Sequence, residues 1–271
     1  MELLPLSAAE LSAEGLLPAS LGQALLQGGY PALYDLPVSP ADWFANYVAS
    51  YVGRDVSQLV AVRDLSTFQT FVRMCAARTG QLLNLASLGA DCGISAVTAR
   101  HWLTVLESSY VVTLLRPHHR HLGKRLVKTP KLYFLDSGLA AWLGIQDAQA
   151  LETHAARGAL FETWVVSEQL KQRFNAGRPS DFFFWRDHVG QEIDIVIDTA
   201  AGLVPMEVKS GSRFAADWAD AMEKWGKLAE RAGQPVLQPT LVYGGMQGFE
   251  RHGLRVWSWA EAHRWCPPST A

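Results

Sequence analysis

The chain has 271 residues, of which 49% are hydrophobic and 18% are charged, so it can bury a sizeable core and is not globally disordered. Its formal net charge of -2 gives no overall attraction to nucleic acid or to an anionic membrane, so any such binding must come from a local patch. No segment resembles a signal peptide or is apolar for long enough to span a bilayer, and the three cysteines are widely spaced, which predicts a cytoplasmic protein with free thiols.

The first part of the chain predicts helices. Residues 1–29 are rich in leucine and alanine, which predicts short helices that the glycine pair at their end stops. Asp42 is predicted to cap a helix over residues 43–56, and the apolar spacing of residues 65–80 predicts a second helix that Gly80 ends.

The next segment predicts a winged helix-turn-helix. It reads as a helix over residues 82–91, a tight turn over 92–94, a second helix capped by Ser95, and a strand over 110–115. Many helix pairs with a glycine turn bind nothing and only pack against the protein interior, so DNA binding and packing are two open interpretations of this pattern.

Two sets of basic side chains are candidate DNA contacts. Arg100 and His101 lie on the predicted second helix, where they can reach a phosphate or a base. Residues 116–131 carry six lysines and arginines, three histidines and no acid, which predicts either a phosphate-contacting wing or an ordinary solvated loop. The candidate contacts of this basic segment are Arg120, Lys124, Arg125 and Lys128.

The second half of the chain predicts a sheet domain. After a buried strand over residues 132–135 and a linker-like stretch, the pattern becomes helix, three strands, helix and further strands. The predicted strands cover residues 181–187, 192–198, 203–210, 239–245 and 254–259, and the predicted helix among them covers 215–232. This order is typical of an α+β or α/β domain with a central mixed sheet.

Two neighbouring strands of this predicted sheet carry charged residues between apolar ones. Alternation of faces separates Asp194 from the isoleucines around it, and it places Glu207 and Lys209 together on one face. If residues 199–202 close a hairpin, the two carboxylates lie side by side with the ammonium one pleat further along. The opposite face of the first strand is then formed by Ile193, Ile195 and Ile197.

This charge pattern predicts a metal site. Two half-buried carboxylates repel each other unless a cation lies between them, and oxygen ligands favour Mg²⁺, with Mn²⁺ as a substitute. Lys209 can orient an attacking water or stabilise the developing charge, which suits hydrolysis of a phosphodiester. On the helix before the sheet, Glu162 is the preferred further acid, and Glu168, six positions further on, is its rival.

Short strings in the chain carry a family resemblance. Glu192-Ile193-Asp194, followed after about a dozen residues by Met206 to Lys209, resembles the PD-(D/E)XK nuclease superfamily. Longer strings, from about Met1 to Trp259, resemble the C-terminal region of prokaryotic AAA-type ATPases that carry a C-terminal domain of unknown function. Among these strings are "YVGRDV", "LGKRLVKTPKLYFLDSGLAAWLGI", "GALFETWVVSEQLKQ", "FFWRDHVGQEIDIVID" and "PMEVKS".

The resemblance implies roles for individual residues. It assigns catalytic roles to Glu162, Asp194, Glu207 and Lys209, and it makes the three acids among them the ligands of Mg²⁺ or Mn²⁺. The proline that usually precedes the first acid of the nuclease motif is absent from this chain.

The resemblance also implies a domain order, in which a P-loop ATPase module precedes a winged helix and a nuclease-like domain. On this chain it assigns residues 1–36 to the tail of an ATPase module and 37–147 to a helical and winged-helix domain. Residues 148–262 form the predicted nuclease-like domain, and 263–271 a tail. No GxxxxGK[ST] motif occurs in the sequence, so no ATP site is assigned to it.

Three functions are compatible with these patterns. The first is a Mg²⁺-dependent DNA nuclease that the winged helix and the basic segment guide to its substrate. The second is a non-catalytic DNA-binding or regulatory module that works with an AAA-type ATPase, and the third is a protein-interaction module whose winged helix forms the partner surface. We expect DNA as a ligand, no membrane association, and a second copy of the chain or a separate ATPase as candidate protein partners.

Overall fold

The computed structural model describes residues 3–51, 65–118, 122, 126–145, 151–178, 180–251 and 253–265. These residues form two compact units. The first unit comprises the described residues of Met1–Leu6, Glu10–Leu114 and Lys131–Ser167; the second comprises those of Ser7–Ala9, Leu115–Pro130 and Glu168–Ala271. In these described parts, no helix combines the length and the hydropathy that a membrane crossing requires.

Short helices and a two-stranded sheet make up the first unit, and its first and last helices continue into the second unit. Its elements are α1 (Ala8–Ala13), α2 (Leu21–Gln27), α3 (Ala32–Asp35), α4 (Pro40–Ser50), α5 (Leu65–Ala76), α6 (Leu85–Asp91), α7 (Ala96–Ser108), β1 (Val112–Leu115), β2 (Lys131–Phe134), α8 (Ser137–Gly144) and α9 (Arg157–Asn175).

The start of α4 differs from the prediction. Ser39, not Asp42, is the N-cap, because the Ser39 hydroxyl accepts the Asp42 N–H at 3.1 Å. Pro40 fixes the backbone angle that a first helical turn needs and has no N–H to leave unpaired, so the helix begins three residues before the aromatic pattern does.

The predicted helix-turn-helix is present as α6 and α7. Ser95 caps α7 as predicted, since its hydroxyl accepts the Thr98 N–H at 3.0 Å. The turn between the helices contains Gly93 at a φ of 68°, a conformation that glycine adopts without steric cost. The first helix begins at Leu85 rather than at Leu82, because Leu82 forms a β-bridge with Lys131.

A six-stranded mixed sheet forms the centre of the second unit, so the coarse α+β prediction is confirmed. The strands are β3 (Phe182–Arg186), β4 (Glu192–Thr199), β5 (Gly202–Lys209), β6 (Thr240–Tyr243), β7 (Phe249–Arg251) and β8 (Leu254–Ser258), and α10 is Trp218–Arg231. They lie in the order β3-β4-β5-β6-β8-β7, with β5, β6 and β8 parallel and the other pairs antiparallel. The predictions missed β7, a three-residue strand at the edge.

Helix α10 packs against β4 and β5 and closes the core of the second unit. Trp225 of this helix meets Trp185 of β3 edge to face, with ring centroids 6.2 Å apart, and both side chains are fully buried. The same cluster contains Ile193 and Val196, which strict alternation would place on opposite faces. The predicted grouping of the isoleucines is therefore wrong for Ile193.

A register shift explains this difference. The β3–β4 pairing changes register between Phe183 and Trp185, so that two residues of β4, Asp194 and Ile195, lie opposite one residue of β3. Such a bulge bends the strand and reverses the alternation of side chains beyond it. It occurs at Asp194, the first acid of the predicted metal site.

The described parts of the basic segment line the outer edge of β3 instead of forming a free wing. His118 N–H donates to the Phe184 carbonyl at 2.6 Å, the Phe184 N–H donates to Arg116 at 3.1 Å, and Val127 N–H donates to Arg186 at 3.0 Å. An open edge strand invites pairing with other chains, so this segment protects the sheet. Of its predicted DNA contacts, Arg120, Lys124 and Arg125 lie outside the described residues.

The Asp136 carboxylate connects two separate segments of the first unit through hydrogen bonds. Its side chain is buried and accepts the Gly29 N–H at 2.7 Å and, as the cap of α8, the Leu139 N–H at 2.8 Å. The sequence DSG at this position therefore has a capping role.

We expect Asp136→Ala to lower the free energy of unfolding by about 2–4 kcal/mol, because two buried N–H groups lose an anionic acceptor. Asp136→Asn keeps one acceptor oxygen and should lose less. Chemical denaturation of the full chain measures both, with the exposed Asp42→Ala as the control. A loss for Asp136→Ala no larger than that of the control would contradict this role.

Candidate metal centre

The β4–β5 hairpin positions the predicted acids. Its ladder runs from Thr199 opposite Gly202 to Ile195 opposite Met206, as the predicted turn over residues 199–202 requires. The Thr199 hydroxyl closes the turn by donating to the Gly202 carbonyl at 2.7 Å. This pairing sets the positions of Asp194 and of the residues that follow Met206.

Asp194 lies one residue beyond the end of this ladder. Its Oδ2 accepts the backbone N–H of Val208 at 2.9 Å, so the carboxylate acts as the acceptor for β5 where the backbone pairing has stopped. The side chain is 14% exposed, so the carboxylate is largely shielded from solvent. A charged acceptor makes such a bond stronger than a neutral one does.

Lys209 brings the two predicted carboxylates of the second unit together. Its Nζ lies 2.6 Å from Glu207 Oε2 and 4.0 Å from Asp194 Oδ2. Glu207 is buried in the interior of the sheet, next to Leu241 of β6, whereas Lys209 is one-third exposed. The structure therefore places the two predicted carboxylates around the ammonium group of the third predicted residue, Lys209.

Glu192 is a further acid at this site. The sequence patterns include Glu192 in the nuclease motif but assign it no chemical role. One of its carboxylate oxygens lies within 4.8 Å of one from Asp194, and its Oε2 lies 2.9 Å from Arg186 Nη1. Two oxygens that share Mg²⁺ at about 2.1 Å each lie at most about 4.2 Å apart, so small side-chain rotations suffice for both to bind one ion. The sequence signal that could have identified Glu192 as a ligand is its spacing of two residues from Asp194 along one strand.

Glu162 belongs to the first unit, on α9. It accepts hydrogen bonds from Lys131 Nζ, at 2.8 Å, and from the Tyr133 hydroxyl. Its rival Glu168 is buried and accepts the Ala8 N–H at 2.7 Å and Lys171 Nζ at 2.9 Å, which is a structural role. That Glu162 serves the same ion as the acids of the second unit stays a prediction.

The candidate DNA contacts that the structure describes are all exposed. Arg100 and His101 lie on the outer face of α7, together with Val97, which is 78% exposed, and with Thr104. Lys128 is exposed in the second unit.

The described cysteines show no sign of nucleophilic chemistry. Cys75 and Cys92 are free thiols, as predicted, and Cys266 lies outside the described residues. Burial raises the pKa of the Cys75 thiol well above its usual range, and it also raises the pKa of Cys92. A thiol held in its protonated form is a poor nucleophile.

Comparisons with known proteins agree with the coarse part of the resemblance. Residues 19–150 match the family model "Domain of unknown function (DUF8612)", and residues 157–262 match "Domain of unknown function (DUF4143)". The chain is 31% identical over 190 residues to "Uncharacterized protein Rv2008c" of Mycobacterium tuberculosis and, equally, to "Uncharacterized protein Mb2031c" of Mycobacterium bovis. No solved structure matches the chain significantly.

The chain spans less than half the length of these curated relatives: the matched region is 69% of the chain and 42% of each relative. The descriptions of the two families and of the relatives state no activity. The nuclease and ATPase parts of the resemblance therefore remain predictions, whereas similarity to the two domain families is established.

We expect Lys209→Met to lower the free energy of unfolding by about 1–2 kcal/mol, because it removes the ammonium beside the buried Glu207 carboxylate. Mn²⁺ should stabilise this variant more than the wild type, since the ion no longer competes with an ammonium for the acids.

Thermal unfolding with and without Mn²⁺ measures both effects. The control is Lys227→Met, which removes the ammonium of an exposed pair with Glu223. Equal Mn²⁺ shifts in the wild type and in Lys209→Met would show that Lys209 does not share its acids with an ion.

Proposed function

We propose that this protein binds DNA and hydrolyses phosphodiester bonds at a Mg²⁺- or Mn²⁺-dependent site in its second unit. The observation that carries the proposal is the position of Asp194 at the end of the β4–β5 ladder, with Glu192, Glu207 and Lys209 around it. Two neighbouring acids and an ammonium at one strand end are the groups that metal-assisted hydrolysis requires.

Each residue has a chemical task in this proposal. Asp194 and Glu192 hold the ion, and Glu207 holds Lys209 in place through their 2.6 Å contact. A bound Mg²⁺ would supply a water of lowered pKa and neutralise charge on a phosphoryl oxygen. Lys209 orients the attacking water and stabilises the additional negative charge on the phosphorus oxygens.

The reaction is a substitution at phosphorus. The water oxygen forms a new bond to phosphorus while the bond from phosphorus to one sugar oxygen breaks, and the leaving oxygen takes up a proton. The products are a phosphate monoester and an alcohol. Glu162 is the acid that the family resemblance adds as a further ligand.

The exposed face of α7 supports the DNA-binding part of the proposal. Val97, Arg100, His101 and Thr104 recur at helical spacing on this face, and it carries no acid before Glu107. A helix with this surface fits the major groove, where arginine and histidine can contact phosphates and base edges.

A non-catalytic DNA-binding module is the second candidate, and one observation favours it. Lys209 already neutralises Glu207 at 2.6 Å, so this pair of charges is satisfied by the protein itself. Under this alternative the acids and Lys209 are a structural ion-pair network, and the protein binds DNA without cleaving it.

The nuclease proposal predicts nicking of supercoiled plasmid in Mn²⁺, with a loss of at least about a hundredfold in Asp194→Asn and Lys209→Gln. Glu162→Gln should lose activity as well if it serves the same ion. The matched control is Glu223→Gln, an exposed acid on α10, which should cleave as the wild type does.

Nicking that persists unchanged in both Asp194→Asn and Lys209→Gln would identify a contaminant and reject the proposal. Specific DNA binding with no nicking by any form of the protein would support the non-catalytic alternative.

The DNA-binding part predicts that Arg100→Gln and His101→Gln weaken binding to duplex DNA several-fold. Loss of a phosphate contact at Arg100 should also reduce the slope of log affinity against log salt by about one. Fluorescence anisotropy at several salt concentrations measures both, with Arg73→Gln on α5, another exposed arginine of the first unit, as the control. Equal effects of the Arg100 and Arg73 variants would mean that α7 is not the contact surface.

A further inference from the structure

A cavity of about 350 Å³ lies in the second unit, at the edge of the sheet. The described residues that line it come from the two pieces of the basic segment that pair with β3, residues 116–118 and 126–130. They divide into basic side chains, namely Arg116, His118 and Lys128, and apolar ones, mainly Pro117, Leu126 and Pro130. The basic segment therefore builds a concave site in addition to covering a strand.

The walls of this cavity are held in place by the fold. The backbone on both sides is hydrogen bonded to β3, and Leu126 packs against the core cluster beneath α10. The fully buried His118 ring lies 3.3 Å from Asp198 of β4 and packs edge to face on Phe183. A site with fixed walls loses little conformational entropy when a ligand enters.

The cations at the cavity are available for a ligand. Arg116 and Lys128 are both exposed, and neither forms an ion pair or a side-chain hydrogen bond with any residue in the part of the chain that the structure describes. Two acids adjoin the wall: Asp198 is engaged with His118, and Asp187, which pairs with Leu126, accepts the backbone N–H groups of Val189 and Gln191. The charge of this cavity therefore favours an anion, with arginine and lysine as the usual partners of phosphate.

The size and the apolar part of the wall specify the anion further. The volume falls within the range of sites that hold small organic molecules and is far more than a phosphate ion needs. Pro117, Leu126 and Pro130 offer flat, apolar contacts of the kind that a heterocyclic base packs against.

We propose that this cavity binds a single nucleotide, with its phosphate on Arg116 and Lys128 and its base against the two prolines and Leu126. The nucleotide is either the terminal residue of a nucleic acid strand or a free mononucleotide. This inference deepens the proposed function by naming a ligand site in the same unit, but it does not depend on the metal centre.

Isothermal titration calorimetry in the presence of EDTA tests the proposal. The probes are AMP, adenosine, inorganic phosphate, and a tetranucleotide with either a 5′-phosphate or a 5′-hydroxyl. The proteins are the wild type, Arg116→Gln, Lys128→Gln, Asp194→Asn, and the control Lys224→Gln, which removes an exposed cation of α10.

AMP should bind at least about tenfold more tightly than adenosine or phosphate, and Arg116→Gln and Lys128→Gln should each weaken AMP binding by about tenfold. Lys224→Gln and Asp194→Asn should bind AMP as the wild type does. Retained AMP binding in Asp194→Asn separates this site from the metal centre, whatever the outcome of the nicking assay.

Tighter binding of the 5′-phosphorylated tetranucleotide than of AMP, with a loss for its 5′-hydroxyl form, would support a strand end as the source. Tighter binding of AMP would support a free nucleotide. The proposal is overturned if AMP shows no binding at millimolar concentration, if phosphate binds as well as AMP, or if Lys224→Gln weakens AMP binding as much as Lys128→Gln does.

Discussion

At the end of the β4–β5 ladder the Val208 amide donates to the Asp194 carboxylate, and the candidate metal centre depends on this bond. An amide without an acceptor in a buried sheet costs about 1–3 kcal/mol, so the carboxylate stabilises the fold at the point where backbone pairing stops. The same bond holds Asp194 beside Lys209 and within reach of Glu192. The Asp194 side chain thus ends the pairing of β4 with β5 and also lies beside the other charged groups of the site.

Lys209 gives this site two possible states. Bound to Glu207, its ammonium takes the place of a cation and makes the network self-sufficient. An ion held by Asp194 and Glu192 would add positive charge beside that ammonium, so the centre must bind the metal against Lys209 repulsion. For the proposed function, the choice between a metal-dependent nuclease and a non-catalytic module therefore depends on a competition between an ion and the Lys209 ammonium for the same acids. The exposed face of α7 is compatible with either outcome, because it lies in the other unit.

Local patterns were sufficient to predict most of the elements and the group formed by Asp194, Glu207 and Lys209, because strand alternation and a short hairpin turn determine which side chains become neighbours. The bulge beside Asp194 and the resulting position of Ile193 depend on how β3 pairs with β4, which no local pattern encodes. The same holds for the pairing of the basic segment with β3, since it joins residues far apart in the chain. The predicted start of α4 was wrong for a local reason. The prediction followed the spacing of the aromatic residues, whereas the helix begins at Pro40, which favours the first helical turn.

The position of Mn²⁺ in a crystal of the full chain, found from its anomalous scattering, shows whether Asp194 and Glu192 form a metal site. We predict a peak about 2 Å from a carboxylate oxygen of Asp194 and from one of Glu192, and no such peak in Asp194→Asn crystals soaked in the same way. Well-diffracting wild-type crystals with manganese bound elsewhere and none at these two acids would contradict it.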